Sequence, residues 1–188
     1  MSKLLDRLPY ILDDYEIEDL LNQFNITSYT GLRNYCMISL MVYSGLTTQN
    51  IVELKWDDVG LYEGYVFIRD YDNPKNNREA LVDFETLELL RDLKQIQAIE
   101  SFRHHLVFTT KEGNTLCENY ITEMVRRYAK RAALPDCVNT YTLRHTFATN
   151  VYKRTKSLKK VQEVMGYSRK DVGTKYKYLA SEEIMTNY

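Results

Sequence analysis

Apolar positions along this chain repeat mostly at helical spacing, with one interruption. Ile17, Leu20, Leu21 and Phe24 recur at i, i+3, i+4 and i+7, the signature of one buried helix face. Asp13 with Glu16 three residues later forms a candidate capping box at its start. A polar break over 25–30 follows. Tyr35 to Tyr43 is apolar nearly all round, which predicts a central buried helix ended by Ser44 and Gly45. Ile51, Val52 and Leu54 continue as a short helix toward Trp56. The interruption comes next. Tyr65 to Asp70 and Arg78 to Phe84 are rich in β-branched and aromatic residues, and the segment between them holds Asp72, Asn73, Pro74 and Asn76. That pattern predicts a β-hairpin with a polar tip carrying Lys75. Leu87, Leu90, Leu93 and Ile96 mark another amphipathic helix, and a strand is expected after His104 and His105. Ile121, Met124, Val125, Tyr128 and Ala132 mark the next helix, which ends near Pro135. A helix from about Thr142 to Arg154 follows; Ser157 then caps Leu158 to Met165, and Gly166 stops it. A last helix or turn carries Tyr176. The fold class read from this is mainly α with a small antiparallel β-sheet (α+β), without repeats or an interdomain linker.

Composition narrows the class. A length of 188 residues fits one domain, 1–188, with its own core. Hydrophobic content of 44% and charged content of 27% read as a soluble globular protein. The richest apolar run, Met37 to Tyr43, is too short to span a membrane. No secretory pattern follows Lys3 and Arg7, so a cytoplasmic location is expected. Cys36, Cys117 and Cys137 form no Cys-x-x-Cys pair; reduced thiols are expected, and neither a metal site nor a cofactor.

Charge changes the picture more. The net charge of −1 hides a segregation: from Arg126 to Tyr178 there are 14 Lys+Arg against 3 Asp+Glu, and the rest of the chain has 11 against 23. Such a split predicts one basic face from the C-terminal part, suited to a phosphate backbone. Arg126, Arg127, Lys130, Arg131, Lys153, Arg154, Lys159 and Lys160 are its candidate DNA contacts. Solvated helix surfaces without a partner are the competing reading.

Inside the basic segment Tyr141 to Thr149 reads YTLRHTFAT. Breaking a phosphodiester without a metal needs an in-line nucleophile, cations on the non-bridging oxygens, a base and an acid. Arginine suits the clamp because its fork donates two parallel hydrogen bonds to phosphate and keeps its charge. In order and spacing the chain resembles the catalytic domain of the tyrosine recombinases, the phage integrase family. Gly31 to Trp56, GLRNYCMISLMVYSGLTTQNIVELKW, is similar to the family's first box. The family's hairpin lysine falls on Lys75, and its second box on Tyr141 to Thr149 with the arginine at Arg144. Its later leucine-glycine-histidine element falls on Met165, Gly166 and Tyr167. The nucleophile falls on Tyr176. The resemblance implies an integrase-like fold, double-stranded DNA as partner, and metal-free strand cleavage and rejoining through a 3′-phosphotyrosine. It assigns Tyr176 as nucleophile, Arg144 as phosphate clamp and Lys75 as general acid. It also implies pairing of copies on DNA through the C-terminal tail. The N-terminal core-binding domain of complete members is expected to be absent.

Four positions depart from the pattern. Thr47 stands where the first clamp arginine belongs, and Asn50 replaces the acidic residue three positions on. Tyr141 and Tyr167 replace the usual histidines or their substitutes. A joint loss at Thr47 and Asn50 reads as loss of a supporting ion pair, and a clamp reduced to one arginine predicts a rate loss on the order of 10²-fold or more. With a side-chain pKa of about 10, Tyr141 is a poor base at neutral pH. His145 reads as structural or as a poor substitute base, Arg33 as structural, and His104 and His105 as surface residues. Three alternatives follow: a degenerate DNA-binding regulator or accessory subunit of the same fold, a type IB topoisomerase-like nicking-closing enzyme, and a protein-only interaction module.

Overall fold

The computed structural model describes residues 8–70, 73–100, 105–166, 176 and 180, the side chain of Lys75 excepted. Helix α1 spans Asp14–Leu21, and its capping box is as the sequence predicts. The Asp13 carboxylate accepts from the Glu16 amide, and the Glu16 carboxylate from the Asp13 amide, both at 2.9 Å. Helix α2 spans Tyr29–Tyr43. It starts six residues before the apolar run because Ser28 caps it, accepting from the Gly31 amide at 3.1 Å. Gly31 is required there: a Cβ would lie 1.9 Å from the Asn25 carbonyl oxygen.

Helix α2 is the centre of the core. Cys36, Met37, Ile38, Leu40 and Met41 are at most 1% exposed, and the helix packs against both α4 (Phe84–Ile99) and α6 (Thr140–Thr155). It also buries Asn34, Ser39 and the charged Arg33. The guanidinium donates to the Thr109 carbonyl at 2.6 Å, to Asn34 Oδ1 at 2.9 Å and to the Tyr120 hydroxyl at 2.5 Å. Desolvation lowers its pKa, and Tyr120 opposes that shift. Arg33 thus ties α2 to the 109 segment and to α5 (Glu118–Arg131).

Short helix α3, Thr48–Glu53, leads through a 3-10 turn at Trp56–Asp58 into the sheet. Strands β1 (Val59–Gly60), β2 (Tyr65–Ile68) and β3 (Arg78–Leu81) pair antiparallel in that order, with Val66 opposite both Val59 and Ala80. The hairpin strands are shorter than the sequence pattern predicts, and β1 is an addition to it. The second hairpin strand stops early because Asp83 caps α4, accepting from the Thr86 amide at 2.9 Å, so Phe84 is already helical. The strand expected after His105 is reduced to two isolated bridges, Lys55 with Leu106 and Thr109 with Thr115.

The C-terminal helices carry the site. Asn139 starts α6 by accepting from the Tyr141 and Thr142 amides. Ser157 caps α7, Leu158–Met165, and left-handed Gly166 (φ 68°) ends it, as the sequence predicts. A small second apolar cluster of Ala148, Val161, Met165 and Tyr176 forms against α6 and α7.

Arg33→Ala should destabilise the fold by about 3 kcal/mol, because it leaves Asn34, the Thr109 carbonyl and the Tyr120 hydroxyl buried without their charged donor. Urea unfolding with an unchanged midpoint would contradict this account of the α2–α5 tie.

Candidate active site

The first turn of α6 sets the geometry. Asn139 fixes how the chain enters the helix, so Tyr141 lies on the outer face of the first turn, 72% exposed. Arg144, three residues on, shares that face, while Leu143 and Thr146 are fully buried. Two carbonyls hold the Arg144 guanidinium. Nη1 donates to Gly45 O at 2.5 Å, and Nη2 donates to Met165 O at 2.8 Å. The side chain thereby joins the exit of α2, the face of α6 and the end of α7. Gly45 can serve this contact because it has φ +70° and no side chain; a Cβ would sit 2.3 Å from Phe147 Cδ1.

Two grooves meet at Arg144. One, about 540 Å³, is lined by residues including Thr48, Gln49, Asn119, Arg126 and Tyr141. The other, about 440 Å³, is bordered by Asn50, Asn76, Arg78 and Gly166. Thr47, Gln49 and Arg144 line both. Among the described residues, no group of three or more His, Cys, Asp or Glu side chains is arranged to hold a metal ion.

The two departures at the start of α3 form one structure. Thr47 is the N-cap, its hydroxyl accepting from the Asn50 amide at 3.1 Å, and Asn50 Oδ1 accepts from the Thr47 amide at 3.1 Å. A reciprocal capping box therefore occupies the place where the resemblance leads one to expect an arginine and its acidic support. The two residues are coupled as a neutral hydrogen-bonded pair.

The hairpin tip borders the second groove. Lys75 lies in the 3-10 turn Pro74–Asn76, and Asp70 braces this tip, accepting from the Asn73 amide and from Asn76 Nδ2, both at 2.8 Å. The Lys75 side chain, Tyr167 and the tail beyond Ala180 lie outside the described residues, as does His104.

Tyr176 is fully buried in the second cluster, and its hydroxyl lies 3.0 Å from His145 Nδ1. His145 follows Arg144 on α6, about 100° around the helix. Met165 links Tyr176 and Arg144, with its side chain in the Tyr176 cluster and its carbonyl on Arg144. A tyrosine hydroxyl within 3.0 Å of an imidazole is a nucleophile–base pair in geometry, yet this conformation keeps it away from solvent.

The candidate DNA contacts separate into rows. On α5, Arg126 is exposed, pairs with Glu123 at 2.9 Å and lines the first groove; Lys130 follows it one turn on. Arg127 and Arg131 instead flank the Tyr128 ring at 5.5 and 4.8 Å, and Tyr128 stacks on Phe24 at 4.1 Å. The single basic face expected from sequence is thus divided on α5, because residues one apart on a helix point about 100° apart. Lys153 is half-buried at the end of α6, and Arg154 there is exposed. Lys159 and Lys160 are exposed on α7, the latter 3.5 Å from Glu163.

With this geometry in place, the likeness to known proteins is specific. The model of the phage integrase family matches residues 11–183. The chain belongs to the phage integrase family. Tyrosine recombinase XerD of Ralstonia nicotianae is 31% identical over 191 residues, covering 98% of this chain and 61% of the relative. The XerD of Staphylococcus haemolyticus is 25% identical over 187 residues, 97% of this chain and 62% of the relative. The chain thus spans about three fifths of the length of these curated relatives. Its fold matches the crystal structure of XerA recombinase with TM-score 0.82 at 21% identity, over 96% of this chain and 62% of that one. It matches XerH site-specific recombinase, in a post-cleavage complex with its difH substrate, with TM-score 0.82 at 23% identity, over 96% and 53%. The integrase-like catalytic fold expected from sequence is the fold observed.

Thr47→Ala should cost about 1 kcal/mol through removal of the α3 cap. Combined with Asn50→Ala it should cost less than the sum of the two single changes, because both belong to one motif. Additive effects in thermal or urea unfolding would contradict the reciprocal cap.

Proposed function

We propose that this chain is the strand-transfer domain of a DNA recombinase, with residues 1–188 acting as one domain on double-stranded DNA in the cytoplasm. The observation that carries the reading is Arg144, fixed by two carbonyls at the meeting point of two open grooves, beside Tyr141 and within a basic segment. Related proteins agree, since XerH and a lambda integrase dimer are seen bound to recombination-site DNA. The cysteines Cys36, Cys117 and Cys137 are free thiols, in keeping with a reducing compartment.

In this reading Arg144 binds the non-bridging oxygens of one phosphate and stabilises the charge that builds there during attack. Tyr176 leaves its buried cluster, loses its proton and attacks phosphorus. The P–O bond to the 5′-oxygen breaks, the leaving oxygen takes up a proton, and the strand remains joined to Tyr176 as a 3′-phosphotyrosine. Attack by a 5′-hydroxyl reverses the step and rejoins the strand. Lys75, carried on the hairpin turn bordering the second groove, is the proton donor to the leaving oxygen. Tyr141 and Tyr167 occupy the positions that usually hold histidines, and the first donates a hydrogen bond to phosphate without acting as a base. Arg126, Lys130, Lys153, Arg154, Lys159 and Lys160 hold the flanking backbone. A second copy docks on DNA through the C-terminal tail.

A second reading is favoured by the Thr47–Asn50 cap, which stands in the place of a clamp arginine: a DNA-binding accessory subunit that does not cut. Both readings predict duplex binding that falls at least tenfold between roughly 50 and 200 mM salt, on the order of the decrease expected for several neutralised phosphates. They part in a trapping assay on a pool of nicked suicide duplexes of randomised sequence. The strand-transfer reading predicts a covalent protein–DNA species that Tyr176→Phe abolishes and Thr47→Arg increases. Duplex binding without any covalent species, in the natural chain and in Thr47→Arg alike, gives the accessory reading. Salt-insensitive or undetectable duplex binding ends both.

A further inference from the structure

The end of α7 presents two carbonyls to two arginines. Gly166, in its left-handed cap, donates to the carbonyls of Gln162 and Glu163. The next two acceptors, at Val164 and Met165, are among those a helix leaves without intrahelical partners. Met165 O takes Nη2 of Arg144 at 2.8 Å. Val164 O takes Nε of Arg78 at 3.0 Å. The two guanidiniums thus sit on neighbouring residues of one helix terminus, where the negative end of the peptide dipoles favours cations. Both line the same groove of about 440 Å³, together with Thr47 and Asn50.

We propose that Arg78 is the second cation of the phosphate site, standing in for the guanidinium that Thr47 lacks. Arg78 opens β3 and pairs in the ladder with Ile68, so its backbone is held by the sheet. Its head is seated under Gly166, where a Cβ would lie 3.0 Å from Nη1. Strand pairing and the bond to Val164 O place the charge before any phosphate arrives, which is how a clamp acts without reorganising. Two carboxylates line the groove as well: Asp70 holds the hairpin tip, and Glu53 accepts from Gln49 Nε2 at 3.1 Å. An anion entering between Thr47 and Gly166 meets positive charge from Arg144 on α6 and from Arg78 on β3. An arginine introduced at Thr47, which lines the same groove, would supply like charge from α3. Arg78 is a positioning and charge-supplying residue, and its role rests on the phosphate site proposed at Arg144.

The test uses inorganic phosphate as probe, titrated into the full chain labelled with ¹⁵N-arginine at constant ionic strength. The Nε–H signals of Arg78 and Arg144 should move together and fit one Kd. Arg78→Gln, which keeps a hydrogen-bond donor for Val164 without the charge, should weaken phosphate binding by about tenfold or more. Arg78→Lys should retain most of it, and Thr47→Arg should restore it in the Arg78→Gln background. A melting temperature measured for each variant separates removal of charge from unfolding, and the wild-type titration decides even if Arg78→Gln unfolds. Movement of Arg144 with Arg78 unmoved, unchanged phosphate affinity in folded Arg78→Gln, or no phosphate binding at either arginine overturns the inference. Phosphate binding at both arginines without duplex binding keeps it and ends the DNA reading, whereas duplex binding with Arg78 silent ends this inference alone.

Discussion

The two bonds from the Arg144 guanidinium to Gly45 O and Met165 O are the joint on which the site depends. One side chain closes α2, α6 and α7 around a single point, and each partner is a backbone carbonyl that a substitution cannot remove. The requirement propagates outward. Gly45 must be glycine, because its left-handed backbone and the close approach of Phe147 leave no room for a Cβ. Gly166 must turn the chain sharply so that the last carbonyls of α7 face inward. The core placement of α2, with Met37 to Met41 fully or almost fully buried, then fixes where Gly45 lies.

Much of this is legible in the sequence because local chemistry and global fold agree. Asp13 with Glu16, and Ser157 with Gly166, mark helix ends whose capping bonds are those observed. Other features are visible as residues while their roles are not. Against a family pattern Thr47 and Asn50 look like a missing ion pair, although Thr at an N-cap with an amide three residues on is a capping signal in its own right. His145 reads as structural or as a poor substitute base because its position in the family pattern is usually structural; its partner Tyr176 comes from 31 residues away, and only the fold brings them together. Short β1 has no periodicity of its own and is recruited by β2. Arg78 carries no motif signal, since its role follows from the end of a helix 86 residues later. The rows of basic residues on α5 follow from helical spacing, whereas the stacking of Tyr128 on Phe24 is a tertiary contact that composition cannot reveal.

The buried Tyr176 and the capped α3 bear on the chemistry in different ways. Tyr176 is fully buried with its hydroxyl 3.0 Å from His145 Nδ1, so the proposed attack requires it to become exposed. At Thr47 the observed structure is a reciprocal cap with Asn50, which supplies no positive charge, so under the proposed reading another cation has to supply it. The grooves, the carbonyl-mounted guanidinium and the basic rows are compatible with DNA binding whatever the outcome at Tyr176. Phosphate contacts of this kind position a duplex and carry little sequence information.

The central claim is that Arg144 contacts a DNA phosphate, and the salt dependence of duplex binding tests it most directly. Arg144→Gln keeps an amide donor for the carbonyls and removes the charge. In a variant shown to be folded, the slope of log affinity against log salt should become shallower by about 0.9, the change expected when one fewer duplex phosphate is neutralised. A folded Arg144→Gln protein with the affinity and slope of the natural chain would contradict the account.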